Sequence, residues 1–148
     1  MSTGRIVVGV DGSPSSRDAL VWAHRQAELT GAELVVVTAW SYPAASYPTL
    51  TGYVPMPVGL DLEAESRTAL ETVVKEAIGD VPVTLVVAEG HPANVVVDVA
   101  RGASLVVVGS RGHGGFVGAM LGSVSQLIVT HAPCPVVVVR HPKEAHAA

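Results

Sequence analysis

The chain has 148 residues, 49% of them hydrophobic and 15% charged, with one phenylalanine and a formal net charge of −4. That length suits one domain burying about two-thirds of its unfolded surface. So few aromatics leave an aliphatic, valine-rich core, which favours a buried sheet over a helical bundle, while the acidic balance supplies no basic footprint for nucleic acid.

Residues 5–10, RIVVGV, read as the first strand, with Asp11 at its carboxyl end. Ser13 followed by Pro14 is a helix N-cap with proline at the first helical position. Ala19, Leu20, Ala23 and Ala27 then mark one helical face, and Gly31 stops the helix. Residues 33–40 form the second strand. The next stretch, 41–59, is proline-rich, holds all three tyrosines and is too long for a simple connection. Its tyrosines and Met56 favour a flap that packs on something over a disordered linker.

A helix follows from about Leu60 to Ile78, with Leu70, Val73, Val74 and Ala77 inward and Gly79-Asp80 ending it. Residues 83–88 are the third strand. Gly90-His91-Pro92 starts another helix with Val95, Val96, Val99 and Ala100 inward. By propensity alone NVVVDVA could be a strand. Alternation decides for helix, because parallel neighbours need a crossover between them. Residues 104–109 are the fourth strand, and a helix with Val124, Leu127, Ile128 and His131 on one face runs from Ser123 to His131. The run from Pro135 to Val139 is the fifth strand.

These elements predict an α/β fold: one doubly wound parallel sheet of five strands, βαβαβαβαβ, with helices on both faces and no internal repeat over 1–148. In such sheets ligands sit outside the carboxyl ends of the strands, where strand order reverses. In a 3-2-1-4-5 order, strands one and four flank that point, so Asp11 and Gly109 end on one crevice. A secretory core is absent, since five apolar-type residues separate Arg5 from Asp11. The uncharged interval between Arg111 and Arg140 is broken by Gly114-Gly115, Gln126, His131, Pro133 and Pro135. It reads as two buried elements rather than a membrane span. Cys134, the single cysteine, excludes an intramolecular disulfide and fits a reducing, cytoplasmic setting; between two prolines it reads as a small core residue.

The chemistry concentrates after strand four. Val108 ends an apolar run, and then glycine recurs at 109, 112, 114, 115, 118 and 122 before Ser123-Val124 opens a helix. Glycine at that density implies bare backbone for a closely approaching ligand, with N–H groups turned into an anion-binding nest. A helix beginning there aims free N–H groups and positive dipole at the same loop. Strand, glycine loop and helix start describe a phosphate cradle; the alternative is a plain tight turn. Neither GxxxxGK[ST] nor GxGxxG is present.

Gly109-Ser110-Arg111-Gly112, nine residues and then Gly122-Ser123 resembles the G-x2-G-x9-G-[ST] motif of the ATP-binding universal stress proteins. The resemblance starts at Ile6-Val7-Val8-Gly9-Val10-Asp11-Gly12-Ser13 and ends at Pro133-Cys134-Pro135 and the valines that follow. It implies the same 3-2-1-4-5 order and a bound adenine nucleotide, ATP, with Mg2+ or Mn2+ accompanying the phosphates. Gly109, Gly112 and Gly122 then donate backbone N–H groups to phosphate, and Ser123 caps its helix and donates its hydroxyl. Asp11 accepts from a ribose hydroxyl or approaches a phosphate-bound metal; its ordinary role is to cap the turn into the first helix. Arg111 and His113 lie near the phosphates, where a loop arginine is otherwise solvated. The resemblance places adenine at Gly9-Val10 and Thr38-Ala39-Trp40, with Ala39 presenting its backbone, Trp40 packing, and Val108 and Val124 flanking the cradle.

The resemblance also implies a homodimer through strand five, Val136, Val137, Val138 and Val139. A bare four-valine edge is an aggregation risk that a second copy would cover.

Catalysis finds no support in the sequence. The histidines at 24, 91, 113, 131, 141 and 146 have no HExxH or CxxC companion, so no dedicated metal site is expected. A GxSxG elbow is missing, and Asp11-Gly12-Ser13-Pro14 stands where related ATP pyrophosphatases carry an SGGxDS-type loop. The expectation is an ATP-binding stress-response regulator or interaction module with little or no turnover. The alternatives are a slow ATPase or phosphotransferase, a cyclic AMP or AMP sink, and a dimeric interaction module with a vestigial site.

Overall fold

Alternate residues of each central strand face opposite sides of the sheet, and both sides are apolar. In a computed structural model, which describes residues 4–41, 46–49, 52–55, 61–111 and 121–141, Ile6, Val8, Leu34, Val36 and Val107 join one core cluster. Val7, Val35, Val37, Val106 and Val108 join a second on the other side. Strands buried on both faces need helices on both faces, which is why the valine runs are continuous.

The elements are β1 (Arg5–Gly9), α1 (Pro14–Thr30), β2 (Glu33–Trp40), β3 (Ser46–Thr49), β4 (Gly52–Pro55), α2 (Leu62–Ile78), β5 (Thr84–Glu89), α3 (Pro92–Val99), β6 (Leu105–Gly109), α4 (Ser123–His131) and β7 (Val136–Val139). The main sheet runs β5-β2-β1-β6-β7, all parallel. With the hairpin set aside, that is the predicted 3-2-1-4-5 order. Val7 lies beside Val35 on one neighbour and Val106 on the other. Residues of α1 and α2 fill the first cluster, and those of α3 and α4 the second. Leu20 at the heart of α1 is 0% exposed, a burial that contributes about 1.5–3 kcal/mol.

Local signals account for the helix ends. Ser13, in extended conformation, accepts a hydrogen bond from the Ser16 N–H, Pro14 takes the first position, and Gly31 closes α1 at φ 74°, in the left-handed region that favours glycine. Asp61 caps α2 by accepting from the Ala64 N–H at 3.0 Å, so this helix starts at Leu62 rather than Leu60. At the start of α3, His91 Nδ1 accepts from the Ala93 N–H at 3.2 Å. The ambiguous NVVVDVA segment is helical, with Val95 and Val96 buried.

Three expectations shift. The proline-rich stretch contains an antiparallel pair, β3 with β4, Tyr47 opposite Val54; the packing of its tyrosines and Met56 lies outside the described residues. The predicted inner face of α4 is partly wrong: Leu127 is 41% exposed, and Ser125 is buried beside Ile128 instead. The third sheet strand begins at Thr84 rather than 83. Cys134 is half-buried, and desolvation raises its thiol above the ordinary value, which suits an unreactive packing residue. Among the described residues no helix is long and apolar enough to cross a membrane.

Candidate functional site

β1 and β6 run side by side, Val8 against Val107. From their carboxyl ends the chain departs in opposite directions: β1 leads into α1 on one face of the sheet, β6 towards α4 on the other. The divergence opens a cavity of about 110 Å³ at the switch point of a doubly wound sheet.

Of the residues singled out in the sequence, Gly9, Val10, Asp11, Ala39, Val108, Gly109, Arg111 and Val124 line this cavity, as does Thr38. Gly122 and Ser123 stand beyond its lining, and Gly112 and His113 lie outside the described residues. The sequence reading missed Pro92 and Val96 of α3, Ser125 and Ile128 of α4, Ser16 and Val37. Val96 and Ile128 were legible as inward-facing, but nothing local tells a core-facing residue from one at the rim of a crevice. Trp40 is not among the lining residues; its carbonyl accepts from the Gly90 N–H at 2.8 Å.

The walls are mostly aliphatic, and the charged side chains among the lining residues are Asp11 and Arg111. An apolar slot with a few polar groups at one end suits a small organic ligand with an anionic or polar tail. Asp11 is exposed at the rim, and its Oδ1 accepts from the Ser13 N–H at 2.9 Å. That bond is the turn-capping role, with Gly12 at φ 84° supplying the left-handed residue of the turn.

The strand-to-loop junction after β6 is tied on several sides. Ser125 Oγ donates to the Gly109 carbonyl at 2.6 Å. The Gly122 N–H donates to the Ser110 carbonyl and the Ser110 N–H to that of Val139, at 2.8 and 2.9 Å. The Arg111 N–H donates to Ser15 Oγ at 3.1 Å, and Ser15 Oγ donates in turn to the Arg111 carbonyl.

The packing and bonding here correct three expectations. A Cβ on Gly109 would stand 2.6 Å from the Ser15 carbonyl carbon and 2.8 Å from its oxygen, so this glycine is bare because α1 packs against it. The Gly122 amide, expected to face phosphate, closes the base of the loop. Ser123 is not a cap either: Gly122 occupies that position without a side-chain cap bond, and Ser123 is the first helical residue, exposed. Among the described residues no group of three or more His, Cys, Asp or Glu side chains is gathered for a metal ion.

Comparison with known proteins places this geometry in context. Residues 3–140 match the model of the universal stress protein family. Universal stress protein Rv2005c of Mycobacterium tuberculosis is 39% identical over 141 residues, 91% of this chain and 45% of that protein. This chain thus spans about half the length of the curated relatives it matches. Among solved structures, universal stress protein UspA from Lactobacillus plantarum aligns with a TM-score of 0.72 at 25% identity, covering 95% of this chain and 99% of that one. A universal stress protein in complex with cAMP aligns at 0.65 and 26% identity, covering 96% and 100%.

Proposed function

The chain belongs to the universal stress protein family, and from that premise we propose that its cavity binds an adenine nucleotide, ATP, and that the protein acts through the bound nucleotide as a stress-response regulator or interaction module. The observation that carries this reading is the cavity itself, which gathers Val10, Asp11, Ala39, Gly109 and Arg111 from distant parts of the chain at the switch point. The base lies between the aliphatic walls against the backbone of Ala39. Asp11, which lines the cavity at its rim, meets the ribose. The phosphates run towards the N-terminus of α4, where Ser123 is exposed and, among the described residues, no side chain caps the helix. Gly112 and His113 belong to the same end of the site in this reading. A divalent ion, Mg2+ or Mn2+, is carried by the phosphates, Asp11 being the one carboxylate among the described lining residues.

No described lining residue is a histidine or cysteine, and the reading includes little or no turnover. Because a solved relative is in complex with cAMP, cyclic AMP is the second ligand to test. Isothermal titration with ATP, AMP and cyclic AMP separates these ligands, and mass spectrometry of nucleotide carried through gentle purification identifies the one bound in the cell. Asp11→Asn keeps an acceptor for the Ser13 amide but removes the charge. We expect weaker ATP binding with an unchanged apo melting temperature, and unaltered affinity would remove Asp11 from the site.

The same reading includes a homodimer through β7, an edge strand of four half-buried valines, Val136 to Val139. Such an edge is a template for a second copy. Val137→Pro removes a ladder donor, so light scattering is expected to show dimer for the wild type and its loss in the variant. A wild-type monomer at micromolar concentration would sink this part of the proposal.

A further inference from the structure

Ser15 stands at the second position of α1 and is 4% exposed. Ser16 keeps its hydroxyl near the start of its own helix, donating to the Ser13 carbonyl at 2.9 Å and accepting from the Asp11 N–H at 3.3 Å. Ser13 accepts from the Ser16 amide and reaches the Arg111 carbonyl with its own hydroxyl at 3.3 Å. Ser15 goes further than Ser13, meeting both backbone groups of Arg111. Its hydroxyl both accepts from the Arg111 N–H at 3.1 Å and donates to the Arg111 carbonyl, across 96 positions of sequence. One side chain thus satisfies the whole backbone of one residue, and that residue lines the cavity.

The residues at the end of β6 are each held by a different element. Gly109 is bonded by Ser125 of α4, the Ser110 carbonyl by the Gly122 amide, and Arg111 by Ser15 of α1. The Arg111 backbone is held by three hydrogen bonds, two to Ser15 and one to its carbonyl from Ser13. Ser15 itself is not among the lining residues, and its one hydroxyl proton is already used. It therefore touches no ligand, but it sets the direction in which the chain leaves the sheet. The Ala39, Val10 and Pro92 side of the cavity comes from β1, β2 and α3 and takes no bond from Ser15 among those described.

We propose that Ser15 is a positioning residue for the phosphate end of the nucleotide, acting through the backbone of Arg111 and leaving the base end untouched. This rests on the nucleotide reading above. The test is isothermal titration of the full chain and Ser15→Ala with two probes, ATP and adenosine, plus amide hydrogen exchange at Arg111 without ligand. In Ser15→Ala we expect ATP affinity to fall about tenfold, the scale of one or two lost hydrogen bonds, with adenosine affinity unchanged and Arg111 exchange faster. If that variant does not fold, Ser15→Cys, which keeps the shape with a weaker donor and acceptor, is expected to show the same ATP-selective loss to a smaller degree. Equal losses for ATP and adenosine would make Ser15 a purely structural residue and overturn the proposal, as would an unchanged ATP affinity in either variant. A wild-type chain that binds neither probe would overturn the nucleotide reading, and this inference with it.

Discussion

Two helices begin beside the cavity, α1 after β1 and α4 after β6, and they satisfy their first turns in different ways. At α1 the protein supplies its own partners: Asp11 accepts from Ser13, Ser13 caps the Ser16 amide, and Pro14 removes one donor altogether. At α4 the cap is Gly122, with no side-chain acceptor, and the nearby side-chain bond is Gln126 Nε2 donating back to the Leu121 carbonyl at 2.8 Å. The first N–H groups of a helix need a partner from side chain, solvent or ligand. Strand, turn and helix start are therefore not enough to make an anion site. Among the described residues, what separates the two junctions is whether side chains have already filled the donors, and on that criterion α4 is the end where the proposed nucleotide would place its phosphates.

The largest effect is expected where the two junctions touch. Gly109→Ala drives a methyl into the Ser15 backbone, an overpacking that costs about 1–3 kcal/mol and is measured by urea unfolding. Full stability in that variant would mean that the glycine is bare for a ligand after all.

A smaller, paired test sets the capped end against the uncapped one. Ser13→Ala loses the cap of α1 and is expected to cost about 1 kcal/mol, read as a melting temperature lower by about 2–4 °C for a chain of this size. Ser123→Ala, at an exposed first helical position, is expected to stay within about 0.5 kcal/mol of wild type while weakening ATP binding. A reversal of the two outcomes would break the comparison.

The smallest change sharpens it. Gly122 has φ −63° and ψ 158°, which serine adopts freely, so Gly122→Ser gives α4 the acceptor that it lacks. Stability is expected to rise by a few tenths of a kcal/mol, about the difference between glycine and serine at an N-cap. ATP affinity is expected to fall, because the new hydroxyl competes for the same N–H groups. An affinity equal to that of wild type would show that those groups do not meet the phosphates.

Much of this comparison was written in short-range signals. Ser13-Pro14 and Gly31 bound α1 from the sequence, because caps act over three or four residues of chain. The valine runs announced a sheet covered on both faces, and the ordering of strands and helices placed Asp11 and Gly109 at one crevice. Where short-range signals conflicted, the order of elements decided: NVVVDVA is helical because two parallel strands need a crossover. The β3–β4 hairpin was not legible, since Pro48 and Pro55 within its short strands read as breakers.

By itself the sequence determined which segments form the main sheet and its helices, where most of them stop, and which two turns share the carboxyl end of the sheet. Periodicity, capping and alternation are local properties, so a linear reading reaches them. The tertiary structure decided the rest: that Gly109 is bare for α1, that Gly122 closes a loop onto Ser110, that Pro92 and Val96 wall the cavity, and that Ser15 holds Arg111. Each of these joins groups from separate elements, and a contact of that kind comes into being only when the packed helices bring the two groups within hydrogen-bond or van der Waals reach.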